Sequence, residues 1–182
     1  MNNMKKLIVL GLSILILLII ALLWNLSKEE VQVRVESFEE CLAFGFLVSE
    51  SYPRECRTPQ GQTFVEDIGN ELEKTDLIII ENPRPNQIIS SPLFIKGEAR
   101  GFWFFEADFP IRLYDEKGGE IAFVSAQARE EWMTEDFVSF EAILEFSTPQ
   151  TQKGLLVFEK DNPSGLVEFE DELKMPVRFF EK

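Results

Sequence analysis

The 182-residue chain has no histidine, two cysteines and no glycine-rich phosphate loop, and each shortage removes a class of function. Without histidine there is no Ser-His or Cys-His nucleophile, no His-ligated zinc, and no imidazole base for neutral pH. Carboxylate chemistry of the glycosidase kind and Ser-Lys nucleophiles stay open, but no spacing selects the residues for either. No G-x-G-x-x-G or P-loop pattern is present to cradle a nucleotide. Positive charge is scarce as well, with 18 Lys and Arg against 32 Asp and Glu and a net charge of −14. A surface of that sign repels phosphate backbones and anionic headgroups, which argues against a nucleic-acid partner. No catalytic residue, cofactor loop or metal-ligand set is legible, so the reading is recognition without turnover.

What the chain has instead is one long apolar run, Leu7 to Leu26, without a charged residue. At ~1.5 Å of helical rise per residue such a run reaches ~30 Å, the thickness of a bilayer's hydrocarbon core. It reads as a transmembrane helix over 7–26, which makes the membrane the first expected partner. Lys5 and Lys6 precede the run, while Lys28 follows it beside Glu29 and Glu30. Basic residues mark the cytoplasmic flank, so 1–6 is a cytoplasmic stub and the body lies outside. A cleaved secretory signal shares the basic start and apolar core. The length of the run, and a Leu22-Leu23-Trp24-Asn25 end without small residues, favour an uncleaved anchor. Cys41, the first cysteine, follows Phe38-Glu39-Glu40 well beyond the run, so no lipid-modified cysteine is expected.

Residues 27–66 read as a two-cysteine stalk module. Val31 to Val35 alternates like an extended lead-in. Ser37-Phe38-Glu39-Glu40 fits a capping box, which predicts a helix to Phe44 with Gly45 as its left-handed stop. Tyr52-Pro53 and Thr58-Pro59-Gln60-Gly61 read as turns, and Thr63-Phe64-Val65 as a short strand. Outside the cytoplasm Cys41 and Cys56 are expected to pair, which should stabilise the module by ~3 kcal/mol. Acidic Glu39, Glu40 and Glu55 argue against a redox-active thiol there. The run from Tyr52 to Phe64 is similar to the central Tyr/Pro/Cys/Gly/Thr/aromatic run of Kazal-type protease inhibitors, which implies inhibition as an alternative role. This chain can form one disulfide where those inhibitors have three. The module also resembles the short two-cysteine segments beside anchors in bacterial surface proteins.

Residues 67–76 are polar without period and are expected to be a linker. From residue 77 onward, short apolar runs recur about every ten residues between turn residues, the pattern of a β-sandwich. Strands are expected at Leu77–Glu81, Leu93–Arg100, Phe109–Tyr114, Glu120–Ala126, Val138–Phe146, Gly154–Glu159 and Lys174–Phe180. Val138, Phe140, Ala142, Leu144 and Phe146 alternate against Ser139, Glu141 and Glu145, with Ile143 as an exception. Leu155 to Phe158 is apolar on both faces, as a central strand would be. Most of the 17 Phe residues are assigned to the core.

Several motifs here carry a resemblance: Pro83-Arg84-Pro85-Asn86, Ser91-Pro92, Gly97 to Glu106, Trp132-Met133, Phe137-Val138-Ser139-Phe140 and Glu159 to Gly165. In that order and spacing, residues 77–182 resemble the bacterial spore germination immunoglobulin-like domain family. The resemblance implies an extracytoplasmic, non-catalytic immunoglobulin-like β-sandwich from a bacterial envelope. It supplies no ligand and no link to sporulation itself.

Arg100 to Glu106 is the most unusual stretch. Read as a strand, it points Phe102, Phe104 and Glu106 one way and Trp103 and Phe105 the other. An exposed Trp103 beside Glu106 and Asp108 could stack on a wall sugar, whereas buried aromatics with Arg100 paired to Glu106 or Asp108 is the plainer outcome. Trp132-Met133 suggests a helical turn plugging the sandwich end. Arg100, Trp103, Glu106 and Trp132 are thus the candidate ligand-binding residues, for an envelope protein or a wall glycan. Glu168, Glu170, Asp171 and Glu172 lack the ligand alternation of a calcium loop and read as a solvated face.

Overall fold

The computed structural model describes residues 2–26 and 34–181. Helix α1 (Asn2–Leu26) is built largely from Leu and Ile, and its described side chains are all exposed, Leu17 by 65%. Among the described residues no helix is long and apolar enough to cross a membrane. The transmembrane span expected over 7–26 is therefore not shown by the structure, which has there a helix with exposed apolar side chains. Lys28, Glu29, Glu30 and the first part of the lead-in, 31–33, lie outside the described residues.

The stalk module folds around its disulfide. The Ser37 hydroxyl caps α2 (Phe38–Ala43) by accepting the Glu40 N–H at 3.1 Å. The Glu40 carboxylate accepts the Glu36 N–H at 2.8 Å, so the capping box closes one residue further back than its usual form. Gly45 ends the helix at φ +71°. Three short strands follow, β1 (Leu47–Ser49), β2 (Glu55–Arg57) and β3 (Thr63–Val65), in antiparallel order β1-β2-β3. Sequence alone pointed to the third of them, since three-residue strands show no period. Cys41–Cys56 joins α2 to β2 with Cα atoms 6.0 Å apart, and Val35 and Phe38 pack beside it.

The sandwich contains all seven expected strands: β4 (Ile78–Asn82), β5 (Leu93–Arg100), β6 (Asp108–Asp115), β7 (Glu120–Ala128), β8 (Phe137–Leu144), β9 (Lys153–Glu159) and β10 (Glu172–Arg178). They hydrogen-bond in the order β10-β9-β6-β7-β8-β5-β4. The result is one sheet folded over into two layers, nearly a barrel. The fold-over lies at the end of β7, where Gln127 and Ala128 alone pair with β8, opposite Glu141 and Phe140. Phe109 of one layer meets Phe140 of the other edge-on, with ring centroids 4.8 Å apart. Val138, Phe140, Ala142 and Leu144 point inward as expected, and the exceptional Ile143 lies on the wet face, 61% exposed. In β9, Leu156, Val157 and Phe158 are all buried, as its place between β10 and β6 requires.

Residues 67–76 are not a free tether. Asn70 donates its N–H to the Lys174 carbonyl and accepts the Lys174 N–H on its side chain, adding a segment along the outer edge of β10. Ile68 is buried, and Lys74 pairs with Asp171. The stalk module is held to the sandwich by the same strip. Arg84 pairs with buried Glu71 at 2.7 Å and donates to the Tyr52 hydroxyl at 2.8 Å, while Tyr52 itself donates to Glu71. Arg54 makes a two-pronged bond to Glu66, and the Asn86 amide reaches both Glu66 and the Asp67 carbonyl. Lys153 pairs with Glu39 of α2 at 2.8 Å.

Candidate binding surface at the loop end

The strand registers bring three connections to one end of the sandwich. Arg100 stands opposite Phe137, Asp108 opposite Gln127, and Glu159 opposite Glu172. The segments 101–107, 129–136 and 160–171 therefore cluster there, and Lys153 with the docked α2 lies at the other end of β9.

The first segment is not the strand expected. Gly101–Trp103 forms a 3-10 turn, because the chain leaves β5 where Gly101 can lie against the neighbouring connection. A Cβ on Gly101 would run into the carbonyl oxygens of Trp132 and Thr134. The turn breaks the two-residue alternation, so Trp103 and Phe104 are both buried while Phe102 and Phe105 face solvent. Phe105 and Asp108 exchange backbone bonds of 3.0 and 3.1 Å across a two-residue hairpin turn. Glu106 and Ala107 fill that turn at φ +51° and +68°, positions that Asn and Gly occupy with least strain.

Trp103 takes the plainer of its two expected outcomes, and three other sequence-based expectations change here. Trp103 is fully buried and cannot stack on a sugar ring, and its indole N–H meets no acceptor among the described residues. Arg100 pairs with neither Glu106 nor Asp108. It donates to the Asp76 and Glu135 carbonyls and lies 4.1 Å over the Phe137 ring, because the 3-10 turn carries the acids away from it. Glu106 is an exposed turn residue with no part in a shared site. Trp132 does pack against the core, but as part of an irregular turn closed by the Thr134 N–H on its own carbonyl at 2.8 Å, since β7 runs on to Ala128 and leaves no room for a helix. The Tyr52 to Phe64 run is likewise no free inhibitory loop: Glu55–Arg57 is the middle strand of the small sheet and Tyr52 is held by Arg84 and Glu71.

What the end presents instead is exposed apolar surface. Phe102, Phe105, Met133, Leu166, Val167 and Phe169 are all at least 40% exposed, Val167 by 77%. The connections are locked together: the Asp161 N–H bonds the Trp103 carbonyl at 3.0 Å, and the Lys160 ammonium lies 5.7 Å from the Phe102 ring. Burial raises the Asp161 carboxyl above its ordinary range, and Asp108 and Glu106 push the same way. Beside these loops a groove of about 770 Å³ runs between Asn70 and Lys74 on one wall and Asp161, Asn162 and Glu170 on the other. It is open and polar, with Glu159, Asp171 and Glu172 also in its lining. Among the described residues no group of His, Cys, Asp or Glu could hold a metal ion.

Within the candidate stretch Arg100 to Glu106, Trp103 lies inside and Phe102 and Phe105 are the exposed rings. Phe102 and Phe105 were hidden by the assumed strand period, and Leu166, Val167 and Phe169 by acids that dominate their neighbourhood. Residues 77–166 match the family described as the immunoglobulin-like domain of bacterial spore germination. No curated protein and no solved structure matches the chain.

Proposed function

With residues 77–166 belonging to that immunoglobulin-like family, we propose that the chain is a membrane-anchored, non-catalytic interaction protein of a bacterial cell envelope. A domain of this kind fits a binding role. The observation that carries the reading is the apolar loop end, since large exposed side chains gathered from three connections mark partner surfaces more often than solvated ones. Anchoring rests on the uncharged run Leu7 to Leu26, on its helical form, and on the exposed apolar side chains it carries between Leu10 and Leu23. The anchor enters through α2, which is docked at the end of β9 opposite the loops. Anchored there, the loop end faces away from the bilayer toward a partner. The acidic surface favours a neutral or basic one. The wall-glycan alternative loses the stacking ring it needed, because Trp103 is inside.

A photo-reactive residue placed at Met133 or Val167, with Lys117 at the opposite end as control, tests the reading in living cells. The expected result is an adduct with one envelope protein from both loop positions and none from Lys117. Adducts with wall polymer alone would return the assignment to glycan binding, and equal labelling from all three positions would end the loop-end reading. Resistance of the full chain to alkaline extraction from membranes checks the anchor separately.

A further inference from the structure

Strand β7 uses one of its two edges for most of its length. On the β6 side it is paired from Glu120 to Gln127, and on the β8 side only at Gln127 and Ala128. Ala128 donates its N–H to Ala107 on the β6 side, and Arg129 donates to Ser139 on the β8 side. Successive residues of a strand turn their backbone groups to opposite edges, so Phe123 and Ser125 present N–H and C=O to the open side. No bond reaches them from that side among the described residues.

The core is open at the same place. Ile111 and Leu113 of β6 are fully buried, yet their β7 partners Val124 and Ala122 are only half-buried. Phe123 and Ile143 flank the opening, 52% and 61% exposed. The other two sheet margins are partly covered. Asn70 and the 86–89 segment bond along β10, and Arg84 caps the Ile80 carbonyl on β4. Ala122 to Ala126 carries no proline or lysine to deter pairing, and the one irregularity in the β6 register, at Ile121, lies before it.

We propose that the open edge of β7 is a strand-addition site that takes an extended segment of another protein, in addition to contacts at the loop end. The segment would bond to Phe123 and Ser125 and place small apolar side chains over Ala122 and Val124. It would carry Lys or Arg at its ends, because the chain bears a net charge of −14 and Glu145, just past β8, has no cation partner among the described residues, whereas Glu120 and Glu141 already pair with Arg112 and Arg129. That charge also disfavours a second copy as the occupant. The proposal rests on the reading of the chain as an interaction protein.

The test selects random short linear peptides on the full-length chain in detergent micelles, then maps their footprint by amide hydrogen exchange. Enriched peptides are expected to alternate apolar and polar residues between basic ends and to slow exchange over 120–126. Ser125→Pro, which removes an outward N–H that β6 does not use, should weaken them about tenfold, and Ser125→Ala should not. Phe123→Lys places a charge on the edge without changing the backbone, should weaken them as well, and decides the question alone should the proline variant unfold. No enrichment, or equal binding to Ser125→Pro and Phe123→Lys as to the unaltered chain, overturns the proposal. Peptides lost on Met133→Asp with Val167→Asp, but kept on the edge variants, would overturn strand addition while leaving the interaction reading intact. Failure of that reading itself would show in the loop-position adducts.

Discussion

Glu106 and Ala107 stand side by side in the left-handed region, at a cost of about 1–2 kcal/mol each for residues with a Cβ. The turn they fill ties β6 to the buried Phe104 and so sets which aromatics of this stretch are inside. Ala107→Gly should therefore raise stability by about 1 kcal/mol, read as a higher thermal midpoint at unchanged cooperativity. Gly101→Ala should do the reverse by about 3 kcal/mol, because the added carbon meets two backbone carbonyls that cannot rotate away. Local pattern located this stretch but not its geometry. A strand period and a 3-10 turn make opposite assignments for Trp103, and only the neighbouring connection at Trp132 and Thr134 decides between them.

The docked stalk is a matter of elements rather than single residues. Tyr52, Glu71 and Arg84 come from the module, the strip along β10 and the β4–β5 connection, and each is satisfied by the other two. Arg84→Ala leaves Glu71 buried without its cation and should cost about 2 kcal/mol, less than a fully buried pair because Arg84 is half-exposed. Amide exchange over 50–73 should quicken while β9 keeps its protection. The pH response has two signs. Arg54 bonding holds the Glu66 carboxyl below its ordinary range, as Lys153 bonding does for Glu39. Their stabilisation is complete above the unfolded carboxylate pKa, about 4.3, and fades as pH falls through the lower folded values. Burial raises Glu71 despite Arg84, so its contribution runs the other way and acid relieves it. Urea unfolding from neutral to acid pH should show a loss of stability below the ordinary carboxylate range that is smaller in Arg54→Ala.

At the scale of the whole molecule, the stalk module is held on the sandwich through Glu71, Arg84 and Lys153, and the apolar loops gather at the end of β9 away from Lys153. The strip 67–76, bonded along β10, fixes the module against the sandwich, which a flexible linker would not do. Cys41→Ser with Cys56→Ser removes a loop closure of 15 residues in the stalk and should cost about 3 kcal/mol. The loss should fall on the module first, seen as faster exchange in α2 and β2 before the sandwich opens.

Composition and pattern by themselves narrowed the classes of function and determined the mainly β class of the fold. The absence of histidine and of nucleotide loops removed most catalysis, the uncharged run pointed to an anchor, and turn spacing with alternation placed all seven sandwich strands, because burial on a two-faced sheet writes a two-residue period into the chain. Tertiary structure decided what period cannot encode. Which aromatics of Phe102 to Phe105 are exposed depends on a backbone approach between connections far apart in sequence. Whether 67–76 is free or bound depends on bonds offered by β10 about a hundred residues later. Whether the two layers stay separate depends on β7 being long enough to reach β8 at one end and leave its other end unpaired, a distance relation between strands that no single stretch of sequence contains.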